Sequence, residues 1–179
     1  MLPRTVGVVL AGGASSRMGR DKALLEIDGE TLVASAVRRL GEVCEEILIA
    51  DAGRCLLPGS VPDGPGEGPA AGILGAARAR PGHPLLVLAV DLPRVPVSLL
   101  EELARSDADL AIPRWAGGLE PLCALYGLAA LAALEARVGR GQLDLRTLAE
   151  TPGLRVRHLE APGEVFLNLN RPEDLPERT

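Results

Sequence analysis

The run LAGGASSRMGRDKALL, residues 10 to 25, interrupts a chain otherwise rich in Leu, Ala and Val. Gly12 and Gly13 open a turn in which bare backbone N–H groups can approach an anion with no Cβ in the way. Arg17, Arg20 and Lys22 add positive charge to the same segment, and Lys22 is the only lysine in the sequence. An ammonium on a flexible stem acts as a point charge on phosphate, so phosphate binding is the chemistry this loop could do. The alternative is a structural turn carrying solvated arginines. Neither the G-x-x-x-x-G-K-[ST] nor the G-x-G-x-x-G nucleotide fingerprint is present.

A second candidate is Asp91, which ends the apolar run LLVLAVDLP. A carboxylate there can cap a helix or form a turn. The next helix is expected only near Pro96, which favours a Mg²⁺ ligand working together with substrate phosphates. Asn168 and Asn170 are the only asparagines, and strand alternation would point both to one side. Asn170 alone also suits a loop cap before Pro172. Cys44, Cys55 and Cys123 show no CxxC spacing, which indicates reduced thiols rather than disulfides or zinc. His83 and His158 are assigned no catalytic role.

Short apolar strands alternating with helical segments position these groups. Strands are expected over Thr5–Leu10, Glu46–Ala50, Leu85–Val90 and Asp109–Pro113, with further ones in PLCALY, LRVRHL and VFLNLN. Leu32, Val33, Ala36, Val37 and Leu40 share one helix face, with Arg38 and Arg39 placed opposite. Helices are also expected over Pro69–Ala79, Pro96–Arg105 and the segment ALAALEAR. The pattern predicts an α/β domain over residues 1–179: a Rossmann-like, doubly wound, mostly parallel sheet with helices on both faces. Ligands of such sheets bind at the carboxyl ends of the strands, where the chemically unusual segments fall.

At 179 residues the chain suits one core, and with aromatics at 2% that core must be almost wholly aliphatic. A net charge of −5 argues against a nucleic-acid surface. The longest uncharged apolar stretch is too short to cross a membrane, and the N-terminal run is too short for a signal peptide, so a cytoplasmic location is expected.

The glycine run closely resembles L-A-G-G-x-S-x-R-M-G-x-D-K-A-L, the signature of the nucleotidyltransferases that build the molybdenum cofactor. The resemblance implies a fold of the nucleotide-diphospho-sugar transferase type. It implies that Leu10, Ala11, Gly12, Gly13 and Ser15 line the nucleotide, and that Arg17 and Lys22 act on its phosphates. Asp91, Leu92 and Pro93 match a D-x-P in which the Asp is a magnesium ligand. The segment from Asn168 to Leu175 matches N-[VIL]-N-[TR]-P-E-D-L, which implies Asn170 as a second group at the metal. VPDGPGEGPAAGI resembles a stretch closing over the nucleobase, with Asp63 near the nucleotide and Gly68 shaping the wall. Asp51 stands where such proteins often carry Asn, and is expected to reach the nucleotide in its place. GGLEPLCALY resembles Q-P-L-x-A-L-Y on the pterin side, with Glu120 in place of Gln. The implied activity is Mg²⁺-dependent transfer of GMP from GTP to molybdenum-loaded molybdopterin, releasing pyrophosphate. The alternatives are cytidylyl transfer, another small nucleotidyltransferase, or a non-catalytic nucleotide-binding module. GTP and molybdopterin would be the small-molecule partners, with transient contact to proteins that handle the cofactor.

Overall fold

A computed structural model of the protein describes residues 5–12, 22–27 and 29–166. Arg17, Gly13, Ser15, Arg20, Asn168 and Asn170 lie outside the described residues. The chain forms an eight-stranded sheet. Its strands are β1 (Val6–Leu10), β4 (Ile47–Ala50), β5 (Ser60–Val61), β6 (Leu85–Ala89), β7 (Leu110–Trp115), β8 (Gly118–Leu119), β9 (Cys123–Tyr126) and β10 (Val156–Glu160), and β2 (Glu26–Ile27) and β3 (Glu30–Thr31) form a separate antiparallel hairpin. The order is β10-β7-β9-β6-β1-β4-β5, with β8 on β7. β1 pairs in parallel with both β4 and β6, and β9 runs antiparallel between β6 and β7.

Four helices cover the sheet: α1 (Leu32–Gly41), α2 (Gly68–Ala79), α3 (Val97–Ala104) and α4 (Leu128–Val138). Two glycines, one in β1 and one in α2, show how the faces are shared. A Cβ on Gly7 of β1 would lie 2.6 Å from Ile47 Cδ1 and 3.3 Å from Leu40 Cβ, so α1 presses on that face. A Cβ on Gly72 of α2 would come within 3.0 Å of Ala50 Cβ and 3.1 Å of Leu10 Cδ2, so α2 presses on the face that Leu10 presents. Residues 7 and 10 of one strand point to opposite sides, which makes the sheet doubly wound. The core between these layers is aliphatic, with Tyr126 and Phe166 its buried aromatics. Burying both faces of β1 and β6 completely explains why those strands read as unbroken apolar runs.

Two expectations are corrected. Arg39 is not on the solvent face of α1: it is 6% exposed, whereas Arg38 is exposed and pairs with Glu30 at 3.1 Å. Arg39 lies seven residues after Leu32 and three after Ala36, on the apolar stripe itself. Val165 and Phe166, the first two residues of the expected strand VFLNLN, belong instead to a 3-10 turn, Gly163–Phe166, after Pro162. That turn seats Phe166 against Trp115, ring centroids 6.0 Å apart. The remainder of VFLNLN lies outside the described residues.

Candidate active site at the carboxyl ends of three strands

The strand order reverses at β1, whose neighbours β4 and β6 lead off in opposite directions. The carboxyl ends of these three strands therefore flank one crevice, the place where open α/β sheets take ligands. In register, Leu10 lies opposite Ala50 on one side and Ala89 on the other. Ala11 and Gly12 both donate to Ala50 O, at 2.9 and 3.0 Å, and Val90 donates to Leu10 O at 3.1 Å. The start of the glycine loop is thus anchored to both neighbouring strand ends. A Cβ on Gly12 would meet nothing closer than 3.6 Å among the described residues. Packing against the described residues does not by itself require glycine at this position.

Lys22 begins a 3-10 turn (Lys22–Leu24) closed by Leu25 N–H donating to Lys22 O at 3.1 Å. Its Nζ lies 3.2 Å from Asp91 Oδ2, across 69 residues of chain. The lone lysine and the strand-end carboxylate therefore meet, with side chains 20% and 23% exposed. Asp91 Oδ1 is buried and has no hydrogen-bond partner among the described residues. A buried carboxylate oxygen without a donor is costly unless a cation takes its place. This fits a Mg²⁺ ligand, since hard cations take carboxylate oxygens.

Asp51, immediately after β4, has a different occupation. It is fully buried, Oδ1 accepts Arg54 N–H at 3.1 Å, and Oδ2 accepts Leu56 N–H and Ser60 Oγ, both at 2.7 Å. Burial by itself would raise its carboxyl pKa, but these donors outweigh burial and hold it below the ordinary value. They also hold a loop in which Ala52 and Cys55 adopt left-handed φ angles of 57° and 52°. Side chains bearing Cβ pay roughly 1–2 kcal/mol each for that conformation. The structure brings Asp51 to the end of β4 as expected and gives its carboxylate a loop-holding role.

Asp63 is exposed, in a loop drawn onto α2 by Gly64 N–H donating to Ala71 O at 2.8 Å. A Cβ on Gly75 would sit 2.2 Å from Pro62 O, so the close approach of that loop depends on Gly75. Gly68 opens α2 at φ 59°, a backbone reason for glycine. Neither Asp63 nor Gly68 touches the Lys22–Asp91 pair by any described bond.

Two residues that sequence reasoning passed over, or left without a role, belong to the crevice. Arg54 donates through Nε to Asp51 O at 2.8 Å and through Nη2 to Ala11 O, linking the loops that follow β4 and β1. Its signal was position, three residues after a strand-end Asp. Glu120 is 7% exposed and precedes β9; Ala89 N–H donates to Leu122 O at 2.8 Å, which brings the start of β9 alongside the end of β6. Burial raises the Glu120 carboxyl pKa, opposed by the Leu122 N–H and reinforced by the charge on Asp91. Tyr126 Oη donates to Pro121 O at 2.8 Å and fixes this approach. No group of three or more His, Cys, Asp or Glu suited to a metal occurs among the described residues. None of the described helices is long and apolar enough to cross a membrane.

Comparison with known proteins agrees with this geometry. The MobA-like NTP transferase domain family matches residues 7–160. A probable molybdenum cofactor guanylyltransferase of Opitutus terrae is 38% identical, the match covering 94% of this chain and 91% of that protein. A molybdenum cofactor guanylyltransferase of Cereibacter sphaeroides is 37% identical over 96% of this chain and 94% of its own. The crystal structure of molybdopterin-guanine dinucleotide biosynthesis protein A from Archaeoglobus fulgidus superposes with a TM-score of 0.75 at 25% identity, covering 94% of each chain. The fold is shared more widely: 2-C-methyl-D-erythritol 4-phosphate cytidylyltransferase of Thermus thermophilus gives 0.72 at 20% identity, covering 96% of this chain and 95% of that one. The protein belongs to the MobA-like NTP transferase family and is a nucleotidyltransferase.

Proposed function

We propose that the chain transfers GMP from GTP to the terminal phosphate of molybdenum-loaded molybdopterin, giving the guanine dinucleotide form of the cofactor and pyrophosphate. The supporting observation is the pairing of Lys22 with Asp91 beside the glycine loop, at 3.2 Å. An acceptor phosphate oxygen attacks the α-phosphorus of GTP; a P–O bond forms there as the bond to the β-phosphate bridging oxygen breaks. No general base is required, because a phosphate monoester is ionised near neutral pH. What the protein must supply is alignment of two anions and neutralisation of charge.

The amides of Gly12 and the following loop, together with Arg17 and Lys22, receive the triphosphate. Asp91 would hold Mg²⁺, with Asn170 as the second protein group, and the bound ion would supply charge neutralisation. The Lys22 ammonium, beside Asp91 at 3.2 Å, would offset charge on the phosphates. Glu120 lies on the side where the pterin enters.

The test is a nucleotide comparison with the pterin acceptor and Mg²⁺ present. Pyrophosphate release with GTP and not CTP is expected. Release with CTP alone would assign the cytidylyl reaction, and release with no nucleotide would leave a binding module.

A further inference from the structure

Arg39 takes no part in the chemistry above, yet α1 buries it among aliphatic side chains at 6% exposure. A buried guanidinium costs several kcal/mol unless its donors are used, and a leucine or methionine would fill the same stripe without that cost. What the guanidinium adds is a planar fork of donors, of which Nη1 and Nε are used while the buried Nη2 has no hydrogen-bond partner among the described residues. Nη1 donates to Leu92 O and to Val95 O, both at 3.0 Å, and Nε donates to Ser35 O in its own helix at 3.3 Å. Leu92 and Val95 are each 1% exposed, so water does not serve their carbonyls. Among the described residues, Leu92 O otherwise accepts the Val95 N–H, at a long 3.4 Å.

These two carbonyls bracket the turn that starts one residue after Asp91. On its other side α1 is tied to the Lys22 turn, through Leu32 N–H donating to Leu25 O at 2.9 Å. One guanidinium thus joins the helix that follows Lys22 to the turn that follows Asp91. We propose that Arg39 is a positioning residue: by clamping Leu92 O and Val95 O it fixes the backbone behind Asp91 and holds the metal-ligand carboxylate in place. This rests on the reading of Asp91 as the metal ligand. Outer-shell groups that orient metal ligands typically change affinity or activity by about 10- to 100-fold when replaced.

The experiment measures Mn²⁺ binding to nucleotide-free wild type, Arg39→Gln, Arg39→Lys and Asp91→Ala by loss of the free-ion electron paramagnetic resonance signal. Unfolding midpoints and separate kcat and GTP KM values accompany it. Arg39→Gln is expected to bind Mn²⁺ about 10- to 100-fold more weakly and to lower kcat with GTP KM unchanged. Arg39→Lys, which keeps charge and reach without the fork, is expected to recover part of the affinity; should the glutamine variant fail to fold, the lysine variant carries the test. Wild-type Mn²⁺ affinity in a folded Arg39 variant, with affinity lost in Asp91→Ala, overturns the proposal alone. Unchanged affinity in Asp91→Ala overturns the metal reading itself and this proposal with it.

Discussion

Asp51 and Asp91 stand just past the ends of β4 and β6, the two strands that flank β1, and they have opposite surroundings. Asp51 is fully buried and receives two backbone N–H groups and a hydroxyl from its own loop. Asp91 is part exposed, has one oxygen beside Lys22 and leaves the other buried with no hydrogen-bond partner among the described residues. The same residue type at neighbouring strand ends is satisfied by its own loop in one case and keeps a buried oxygen without a donor among the described residues in the other. Local donors decide which: a loop that turns back onto its carboxylate satisfies it, and a loop clamped from behind by Arg39 does not.

The contrast breaks most visibly in turnover. Asp91→Asn is expected to reduce kcat about 10²- to 10³-fold, the scale on which one preorganised electrostatic group acts. The unfolding midpoint should hardly move, because a part-exposed ion pair such as Lys22–Asp91 contributes about 0–1 kcal/mol. Steady-state pyrophosphate release and thermal unfolding on the same preparation check both halves.

Asp51→Ala should do the reverse. Stranding its donors is expected to remove about 3 kcal/mol of stability, on a scale of about 1–3 kcal/mol per unsatisfied buried group. For a chain of this length that is a fall of roughly 6–12 °C in Tm. Activity per folded molecule should survive; a stable Asp51→Ala protein unable to bind GTP would reverse the assignment.

Two glycines sharpen the comparison at smaller scale. Gly75→Ala drives a Cβ onto Pro62 O and is expected to cost about 1–3 kcal/mol, as overpacking does. Gly12→Ala meets only ordinary contacts among the described residues and should leave stability within about 0.5 kcal/mol, while raising GTP KM. Denaturant melts and GTP titrations of both variants separate the two effects.

The smallest effect is in acid. The folded Asp51 carboxyl lies below its ordinary value, so its contribution is present above the unfolded pKa of about 3.9 and is lost as pH falls through the folded value. Below about pH 4, wild type should lose stability more steeply than Asp51→Asn, measured by urea melts across that range.

The sheet, its four main helices and the candidacy of Lys22 and Asp91 could be anticipated because each has a local signature. These are continuous apolar runs, a 3.6-residue stripe, a glycine loop after a strand and a carboxylate before a proline. What was missed depends on tertiary neighbours. The two-residue strands β5 and β8 and the β2–β3 hairpin are too short for any periodicity. Arg39 was placed by residue type when its phase along α1 already set it under the core. The donors that hold Asp51, Leu56 and Ser60, were not legible because they become its neighbours only when the loop closes.

The most direct test of the account is a crystal structure of the protein with Mn²⁺ and a non-hydrolysable GTP analogue, read by anomalous scattering. The account predicts a manganese peak in direct contact with Asp91 Oδ1, triphosphate oxygens on the same ion, and the phosphates against the loop that follows β1. A peak away from Asp91, or phosphates seated elsewhere than on that loop, would contradict it.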